Sequence, residues 1–369
     1  MSSTGAQKAK RAPFVIPSLD GVRAVSFMLV FLAHAGFPYI PGGFGVTVFF
    51  FLSGYLITTL LRKEAEESGT ISFKLFYLRR VLRILPPFYA VLVLAFALTR
   101  VGLLPREISW AALTAQVLHY SNYWVVSHGW GGLIAGTGVY WSLAVEEHFY
   151  LLFPALYALF IKLGVAPRGQ RSVLFGLCAV VMAWRCYLVF GQGIISDRTY
   201  IASDTRFDSM LFGCALAVCG NPALDVAKTE RPSTAEWLAL LGGVGLLLVS
   251  FLYRDPAFRE SVRYSLQGVG LYPLFFVAVR HPNLLLTRFL NLRPVRFVGT
   301  LSFSLYLVHQ VMIYCIELPY GAGVWQSVLA LSLSLVLSTA VWKLIEKPCA
   351  KLRSRLSVTA HQPSAQPAQ

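Results

Sequence analysis

An arginine and a histidine lie in the first long apolar segment of the chain, VRAVSFMLVFLAHAGF, at positions 23 and 34. A charged side chain inside a membrane span costs about 2.5–3.5 kcal/mol on insertion scales, so ionisable groups there usually face a protein interior or a watery cavity. On an α-helix, Arg23 and His34 would lie on nearly one face, about 16 Å apart along the axis. The spacing predicts a cation near one membrane surface and an imidazole near mid-depth. An arginine at a helix end and a hydrogen-bonded core histidine are the alternative.

Two adjacent acids, Glu146 and Glu147, enter a later apolar segment, WSLAVEEHFYLLFP. Adjacent helical residues point about 100° apart, so the two carboxylates need not share a partner. One of them can orient His34 while the other contacts a substrate or a cation. An imidazole with a pKa near 6.5 is suited to accept a proton at neutral pH, and a carboxylate beside it would stabilise the cation that forms. A pair of acids at a membrane boundary remains the alternative.

A cluster of arginines lies in YLRRVLRILPPFY. Arg80 and Arg83 are three residues apart, on one helical face beside Arg79, and just before Pro86 and Pro87. Guanidinium groups bind phosphates through two parallel hydrogen bonds, so the cluster can hold a phosphorylated ligand. It can equally set the topology and bind lipid headgroups.

Further ionisable residues enter apolar segments near the middle and the end of the chain. The segment DTRFDSMLFG carries Asp204, Arg206 and Asp208, which can form a substrate site or an ion pair that caps a helix. In VGTLSFSLYLVHQ, His309 fits a hydrogen-bonded core histidine better than a ligand-binding one, and Glu346 in IEKP fits a structural role.

Aromatic side chains are concentrated in HYSNYWVVSHGWGGLIAGTGVYW. They can stack on sugar rings, or they can form the aromatic belt found at membrane interfaces. The residues concerned are Tyr120, Tyr123, Trp124, Trp130 and Trp141.

The composition indicates a polytopic membrane protein with little soluble mass. Of 369 residues, 56% are hydrophobic and 13% are charged, and the mean hydropathy is +0.61. Soluble domains carry about 25% charged residues. The net charge of +15 does not indicate a nucleic-acid partner, because Lys and Arg cluster in short loops between apolar segments and no basic domain interleaved with aromatic residues is present.

The cysteines lie in or beside apolar segments and include no CxxC pair, so we expect small core residues, no disulfide and no metal site. They are Cys178, Cys186, Cys214, Cys219, Cys315 and Cys349.

The elements that must position these side chains are membrane helices. The fold class is therefore all-α, with about ten transmembrane helices and one external or re-entrant segment, 108–126. The ten apolar segments are 21–37, 44–61, 85–103, 141–161, 172–190, 205–220, 235–253, 264–280, 297–316 and 324–343. If 108–126 does not cross, the basic loops share one side with both termini, which the positive-inside rule makes cytoplasmic.

The chain then divides into a basic cytoplasmic tail (1–14), a membrane domain (15–350) and a disordered cytoplasmic tail (351–369). The start of the chain also resembles a secretory signal peptide, with a small-x-small tripeptide at 33–35. A second apolar segment follows at once, which favours a helical hairpin instead.

Taken together and in order, these motifs resemble the acyltransferase 3 family of membrane-bound O-acyltransferases. The resemblance covers about 15–350 and rests on SLDGVRAVSFMLVFLAHAG, FFFLSGYLI, RRVLRILPPFY, WSLAVEEHFYLLFP, DTRFDSMLFG and LSFSLYLVH. Arg23 and His34 match the family's opening Arg/Lys, ten residues, His motif, and Arg80 and Arg83 match its Arg-x-x-Arg region. His148 departs from the Gln that many members carry at this position, and we expect no relay through the C-terminal hydrolase-like domain of some members.

The resemblance implies an enzyme of the bacterial inner membrane that transfers an acyl group, most often acetyl, from cytoplasmic acyl-CoA to a hydroxyl group. The implied acceptor is a carbohydrate or glycolipid of the cell surface, or alternatively a macrolide or other small molecule. The lipid bilayer is the remaining partner, and neither a metal nor nucleic acid is implied.

Each candidate residue then has an expected role. Arg23, Arg80 and Arg83 would hold the phosphates of the co-substrate. His34 would deprotonate the acceptor hydroxyl as it attacks the thioester, with Glu146 or Glu147 as its orienting acid. Direct attack in a ternary complex is expected, although histidine can also form an acyl intermediate. The residues expected to contact the acceptor are Tyr123, Trp124, Trp141 and Asp208.

Two functions of other classes compete with the enzyme. A transporter or lipid carrier would use Arg23, His34 and Glu146 as a proton or substrate path, although no internal repeat supports it. A non-catalytic scaffold for polysaccharide assembly would not need His34.

Overall fold

A computed structural model describes residues 16–359 of the chain, which form sixteen α-helices and, within these residues, no β-strand. The helices are α1 (Pro17–His34), α2 (Gly42–Ser68), α3 (Phe73–Arg100), α4 (Trp110–Val117), α5 (Ser121–His128), α6 (Trp141–Lys162), α7 (Pro167–Cys186), α8 (Asp197–Ile201), α9 (Ser203–Val218), α10 (Thr234–Leu252), α11 (Pro256–Ser261), α12 (Arg263–Arg280), α13 (Leu285–Leu290), α14 (Arg293–Tyr320), α15 (Val324–Val341) and α16 (Lys347–Thr359). The predicted tail 1–14 and the end of the predicted C-terminal tail, 360–369, lie outside the described residues.

The ten predicted apolar segments correspond to the ten longest helices, α1, α2, α3, α6, α7, α9, α10, α12, α14 and α15. Within residues 16–359, seven helices are long and apolar enough to cross a membrane. Helices α1, α9 and α12 are outside this set because they are short or carry charges, and α9 is buried along almost its whole length. The prediction of an all-α polytopic membrane protein is confirmed, and the number of ten crossings stays a prediction.

The segment 108–126 does not form a single long helix. It folds as α4 and α5, which have eight residues each. Eight helical residues extend about 12 Å, whereas the hydrocarbon core of a bilayer is about 30 Å thick. This segment therefore agrees with the predicted external or re-entrant element.

The helices extend beyond the apolar segments that predicted them. Helix α3 begins at Phe73, capped by the Ser72 side chain, and continues through Pro86 and Pro87, which we expected near its start. Proline is tolerated inside membrane helices, where neighbouring groups satisfy the freed carbonyls. At the other end of the chain, α16 makes residues 351–359 helical, although they were predicted as part of a disordered tail.

Close backbone contact between α2 and α9 forms the centre of the bundle. A Cβ atom on Gly54 would lie 2.0 Å from the carbonyl oxygen of Met210, and one on Gly213 would lie 2.0 Å from the carbonyl oxygen of Phe51. Membrane helices pack through such small residues because the hydrophobic effect does not drive their association inside the bilayer. The two glycines thus set the distance between the helices that carry the polar interior.

We expect Gly54→Ala to destabilise the fold by about 1–3 kcal/mol, because the added methyl group overpacks the α2–α9 contact. The measurement is the thermal midpoint of the purified protein in detergent. Gly176→Ala is the matched control, since a Cβ there meets no atom within 4 Å. Equal midpoints for both variants would contradict the assigned role of the contact.

Candidate active site

His34 ends α1 and contacts a second histidine, His309, on α14. Nδ1 of His34 lies 3.0 Å from Nε2 of His309, and the two rings stack with centroids 5.2 Å apart. His309 is completely buried, whereas His34 is exposed. Helix α14 continues to Tyr320, so the pair lies eleven residues before its end, about 16 Å along its axis. The pair therefore presents one accessible imidazole, supported from behind by a buried one.

The hydrogen bonds of His309 assign the tautomers of both rings. Nδ1 of His309 lies 2.8 Å from the carbonyl oxygen of Tyr306 and 3.2 Å from that of Leu305. Carbonyl oxygens only accept, so Nδ1 of neutral His309 carries the hydrogen and its Nε2 is an acceptor. His34 must then donate from Nδ1. The lone pair on Nε2 of His34 is left available to accept a proton.

The structure does not bring the two predicted acids to His34. Glu146 accepts a hydrogen bond of 2.6 Å from the Ser53 hydroxyl and lines a separate cavity. One carboxylate oxygen of Glu147 is buried and has no hydrogen-bond partner among the described residues. His309 occupies the orienting position that was expected for an acid.

An arginine-rich cavity of about 540 Å³ lies at the end of the bundle where α3 begins and α15 ends. Volumes of about 300–1,000 Å³ are typical of small-molecule and cofactor sites. The three predicted phosphate-binding residues, Arg23, Arg80 and Arg83, all line it, and Arg353 of α16 lines it as well. Arg23 also pairs with Asp20 at 2.7 Å. The sequence-predicted cation cluster is therefore gathered in one cavity.

The arginines of α3 divide between two roles. Arg79 points to Glu64 of α2, with an N···O distance of 2.5 Å. Arg80 lies over the rings of Phe76 and Tyr150, 5.5 Å from the Tyr150 centroid, and faces the cavity with Arg83. The i, i+3 spacing of Arg80 and Arg83 puts both on one helical face, as predicted.

One aromatic ring separates the cavity from the histidine pair. Tyr306 and Ser142 line the cavity and share a hydrogen bond of 2.7 Å between their hydroxyls. The Tyr306 ring lies 5.6 Å from the His309 ring, centroid to centroid. His34 is not among the residues that line the cavity. The arrangement places the arginine-rich cavity and an exposed imidazole on opposite sides of Tyr306 and His309.

Asp208, a predicted substrate contact, belongs to a buried ion pair. Its carboxylate lies 2.7 Å from a guanidinium nitrogen of Arg185 and accepts a 2.6 Å hydrogen bond from Ser265. Both charged side chains are completely buried. Asp208 thus forms an ion pair, which was the alternative to a substrate site. Its partner, Arg185, was not predicted from the sequence.

We expect Asp208→Asn to destabilise the protein by about 3–5 kcal/mol, because it leaves Arg185 as an uncompensated buried charge. The measurement is the thermal midpoint and the folded yield in detergent. Asp197→Asn, on a half-buried residue of the short helix α8, is the comparison. If the thermal midpoint of Asp208→Asn is no lower than that of Asp197→Asn, a structural role of Asp208 is excluded.

The predicted aromatic contacts lie in different environments. Trp141 is only 5% exposed and packs between Tyr200 and the guanidinium of Arg206, so it faces the protein interior. Tyr123 is 39% exposed, and Trp124 is half-buried and stacks on His128. Burial, together with the nearby Asp204 carboxylate, raises the pKa of Tyr123. Its hydroxyl therefore remains a hydrogen-bond donor at physiological pH.

These features define a helical membrane protein with an arginine-lined cavity on one side and an exposed histidine on the other. The acyltransferase 3 family, described as an acyltransferase domain, matches residues 16–343, and the chain belongs to this family. The resemblance found in the sequence motifs is thereby confirmed.

Two curated relatives are O-acetyltransferases by name. The chain is 29% identical over 356 residues to the peptidoglycan O-acetyltransferase OatA of Listeria monocytogenes, covering 91% of this chain and 56% of the relative. It is 30% identical over 352 residues to the O-acetyltransferase OatA of Staphylococcus aureus, covering 92% of this chain and 58% of the relative. The chain therefore spans less than two thirds of the length of these relatives. No solved structure matches the chain.

Proposed function

We propose that the protein transfers an acyl group, acetyl in the first instance, from cytoplasmic acyl-CoA to a hydroxyl of a cell-surface carbohydrate or glycolipid. The observation that carries this proposal is the position of His34: an exposed imidazole whose Nδ1 is held by His309, two aromatic layers away from an arginine-lined cavity. The names of the relatives support acetyl as the group and peptidoglycan as the first acceptor to test.

The arginine-lined cavity, in this proposal, is the acyl-CoA site. Acyl-CoA carries phosphates at one end and a thioester at the end of a long flexible arm. Arg80, Arg83 and Arg23 would bind the phosphates, since guanidinium groups suit that geometry. The arm would run along the cavity to Ser142 and Tyr306, and its thioester end would pass the Tyr306 and His309 rings to reach Nε2 of His34. The positive-inside rule makes this end of the bundle cytoplasmic.

The chemical step uses Nε2 of His34 as a general base. It removes the proton of the acceptor hydroxyl while the hydroxyl oxygen attacks the thioester carbonyl carbon. The C–S bond then breaks, and the CoA thiolate leaves and takes the proton from the His34 cation, so an ester, free CoA and neutral His34 are formed. Nε2 of His309 accepts the hydrogen bond from Nδ1–H of His34 and so stabilises the His34 cation, as the acid of a catalytic triad stabilises its histidine.

We expect Arg83→Gln to raise the KM for acetyl-CoA about tenfold or more, because a charge-assisted hydrogen bond is worth about 1.5–3 kcal/mol. Steady-state kinetics with acetyl-CoA and with acetyl-pantetheine, which lacks the nucleotide phosphates, provide the measurement. The KM for acetyl-pantetheine should not change. An equal rise for both donors would show that Arg83 supports the fold rather than the phosphates.

The proposed function is tested with the purified protein in nanodiscs, labelled acetyl-CoA and peptidoglycan fragments. The proposal requires free CoA and labelled ester in equal amounts. Binding of acetyl-CoA with neither product, together with uptake of a substrate into sealed vesicles, would replace it with the transporter. Neither binding nor turnover with any acyl-CoA would reject an acyl-CoA-dependent enzyme.

A further inference from the structure

A second cavity, of about 370 Å³, lies at the end of the bundle opposite the arginine-lined cavity. Its walls are residues 40–44, which end the loop after α1 and begin α2, together with Tyr200 of α8 and residues of α10, α11 and α12. We call it the outer cavity. Its wall touches the helical turn that carries His34, because a Cβ on Gly42 would lie 2.5 Å from the Cβ of Ala33.

Cations outnumber acids in the outer cavity. Arg259, Arg263 and Glu260 line it. The Glu260 carboxylate already accepts hydrogen bonds from the hydroxyls of Thr199, at 2.9 Å, and Tyr264, at 3.3 Å. Its nearest contact with Arg263 is long, at 3.7 Å. Arg259 is exposed. Arg263 is half-buried and donates to the Tyr264 hydroxyl at 3.0 Å, and its buried Nε has no acceptor among the described residues. The Arg259 guanidinium and the accessible part of Arg263 are therefore available to a ligand.

A third guanidinium, that of Arg206, adds positive potential from behind the wall of the outer cavity. Arg206 is completely buried and lies 4.1 Å from the Tyr264 ring centroid, behind the cavity wall. It donates to two neutral acceptors, the Tyr200 carbonyl at 2.9 Å and the Thr47 hydroxyl at 3.0 Å. Its Nε has no acceptor within residues 16–359. The nearby Asp208 carboxylate attracts Arg206 but is already paired with Arg185, so two buried cations share one acid. In a buried site of low dielectric, the excess positive charge favours an anion nearby.

The remaining walls of the outer cavity are aromatic. Phe44 and Phe251 meet edge to face with centroids 5.0 Å apart, and Tyr200 forms another wall beside Tyr264. Each of Phe44, Phe251 and Tyr200 is half-buried and keeps part of its ring accessible. Apolar and aromatic walls with a few convergent polar groups are typical of small-molecule sites. Aromatic faces suit the C–H faces of a sugar ring, and the guanidinium groups suit a carboxylate or phosphate on it.

We propose that the outer cavity binds the acyl acceptor, and that this acceptor is a saccharide carrying an anionic substituent. That the bound saccharide is the acyl acceptor rests on the proposed function, whereas the binding of an anionic saccharide in the outer cavity does not. The sequence predicted acceptor contacts at Tyr123, Trp124, Trp141 and Asp208 instead. The outer cavity differs from these positions in combining cationic donors and aromatic walls in one partly open cavity next to the His34 turn.

The experiment is equilibrium binding by calorimetry to the purified chain in nanodiscs of neutral lipid, without acyl-CoA. Three probes of equal length are compared: an oligosaccharide with glucuronate residues, one with phosphorylated glucose residues, and a neutral glucose oligosaccharide. We expect at least one anionic probe to bind about tenfold or more tightly than the neutral one. The stronger of the two anionic probes identifies the substituent.

Arg259→Gln and Arg263→Gln should each weaken binding of the anionic probe about tenfold. Arg254→Gln is the matched control, since Arg254 is exposed in the turn just before α11 but does not line the cavity, and it should bind as the wild type does. Arg259 is exposed, so its variant should fold even if the Arg263 variant does not.

Equal affinity for charged and neutral probes, equal binding by Arg254→Gln and Arg259→Gln, or no saturable binding by the wild type would each overturn the inference. Phosphatidylglycerol added to the nanodiscs is a further test. The inference would also be overturned if this lipid displaced the probe and bound more strongly than either saccharide, because the cavity would then be a lipid site. His34→Ala should keep the binding. Loss of transfer with binding intact would therefore separate the acceptor site from the catalytic proposal.

Discussion

His34→Ala is expected to lower kcat for acyl transfer by about 10²–10⁴-fold, the usual contribution of a positioned general base. The reason is that Nε2 of His34 is the exposed basic nitrogen of the pair, and the buried His309 cannot replace it. The measurement is release of free CoA and formation of labelled ester by the protein in nanodiscs.

The binding of acetyl-CoA provides the control for His34→Ala. His34 does not line the arginine-rich cavity, so the variant should bind acetyl-CoA with wild-type affinity and unfold at a similar temperature. A variant that binds acetyl-CoA and turns over at the wild-type rate would remove His34 from the mechanism.

The second large effect is expected at His309, which acts through His34 and is a positioning residue. His309→Phe removes the acceptor for Nδ1–H of His34 and should lower kcat by about 10²–10⁴-fold, since an imidazole without its orienting partner is free to adopt the wrong tautomer. His309→Gln can still accept through its side-chain carbonyl, and we expect it to retain most of the activity. The KM for acetyl-CoA should not change in either variant.

The pH dependence of kcat separates positioning from packing at His309. If His309 sets the tautomer of His34, His309→Phe should shift the acidic limb of the profile, where the base His34 becomes protonated, and His309→Gln should shift it less. A uniform loss across pH in both variants, with lowered thermal midpoints, would instead show that His309 is a packing residue.

The helices and the arginine cluster follow from local sequence. Apolar segments of spanning length predicted the long helices because membrane helices must satisfy their own backbone hydrogen bonds. Arg80 and Arg83 share one face because of their i, i+3 spacing, and Arg23 joins them in the cavity. Their common location depends on the N-terminal parts of α1 and α3 facing one cavity, and the predicted topology already placed both starts on one side.

The hydrogen-bond partner of His34 could not be predicted from local sequence. His34 and His309 are 275 residues apart, and their contact depends on how α1 packs against α14. Both were visible as histidines in apolar segments, but so were Glu146 and Glu147. Spacing cannot choose between an acid and a second imidazole, because it does not determine which helices are neighbours.

The sequence does contain a signal for the roles of Arg185 and Arg206. Each is a charged residue within or at the entry of an apolar helix, the pattern that marks a buried partner or a functional site. The structure separates the two cases: Arg185 has the carboxylate of Asp208, whereas the recorded acceptors of Arg206 are neutral. The distinction depends on side-chain geometry that no sequence pattern contains.

We expect the acyl group to enter from the arginine-lined side and to be transferred at His34 on the other. Sealed proteoliposomes with peptidoglycan fragments trapped inside, and labelled acetyl-CoA added outside only, test this route. Labelled ester should form in the lumen from the molecules whose arginine cavity faces outward, and it should be lost in His34→Ala. Ester that forms only when donor and acceptor are on the same side of the membrane would contradict this route.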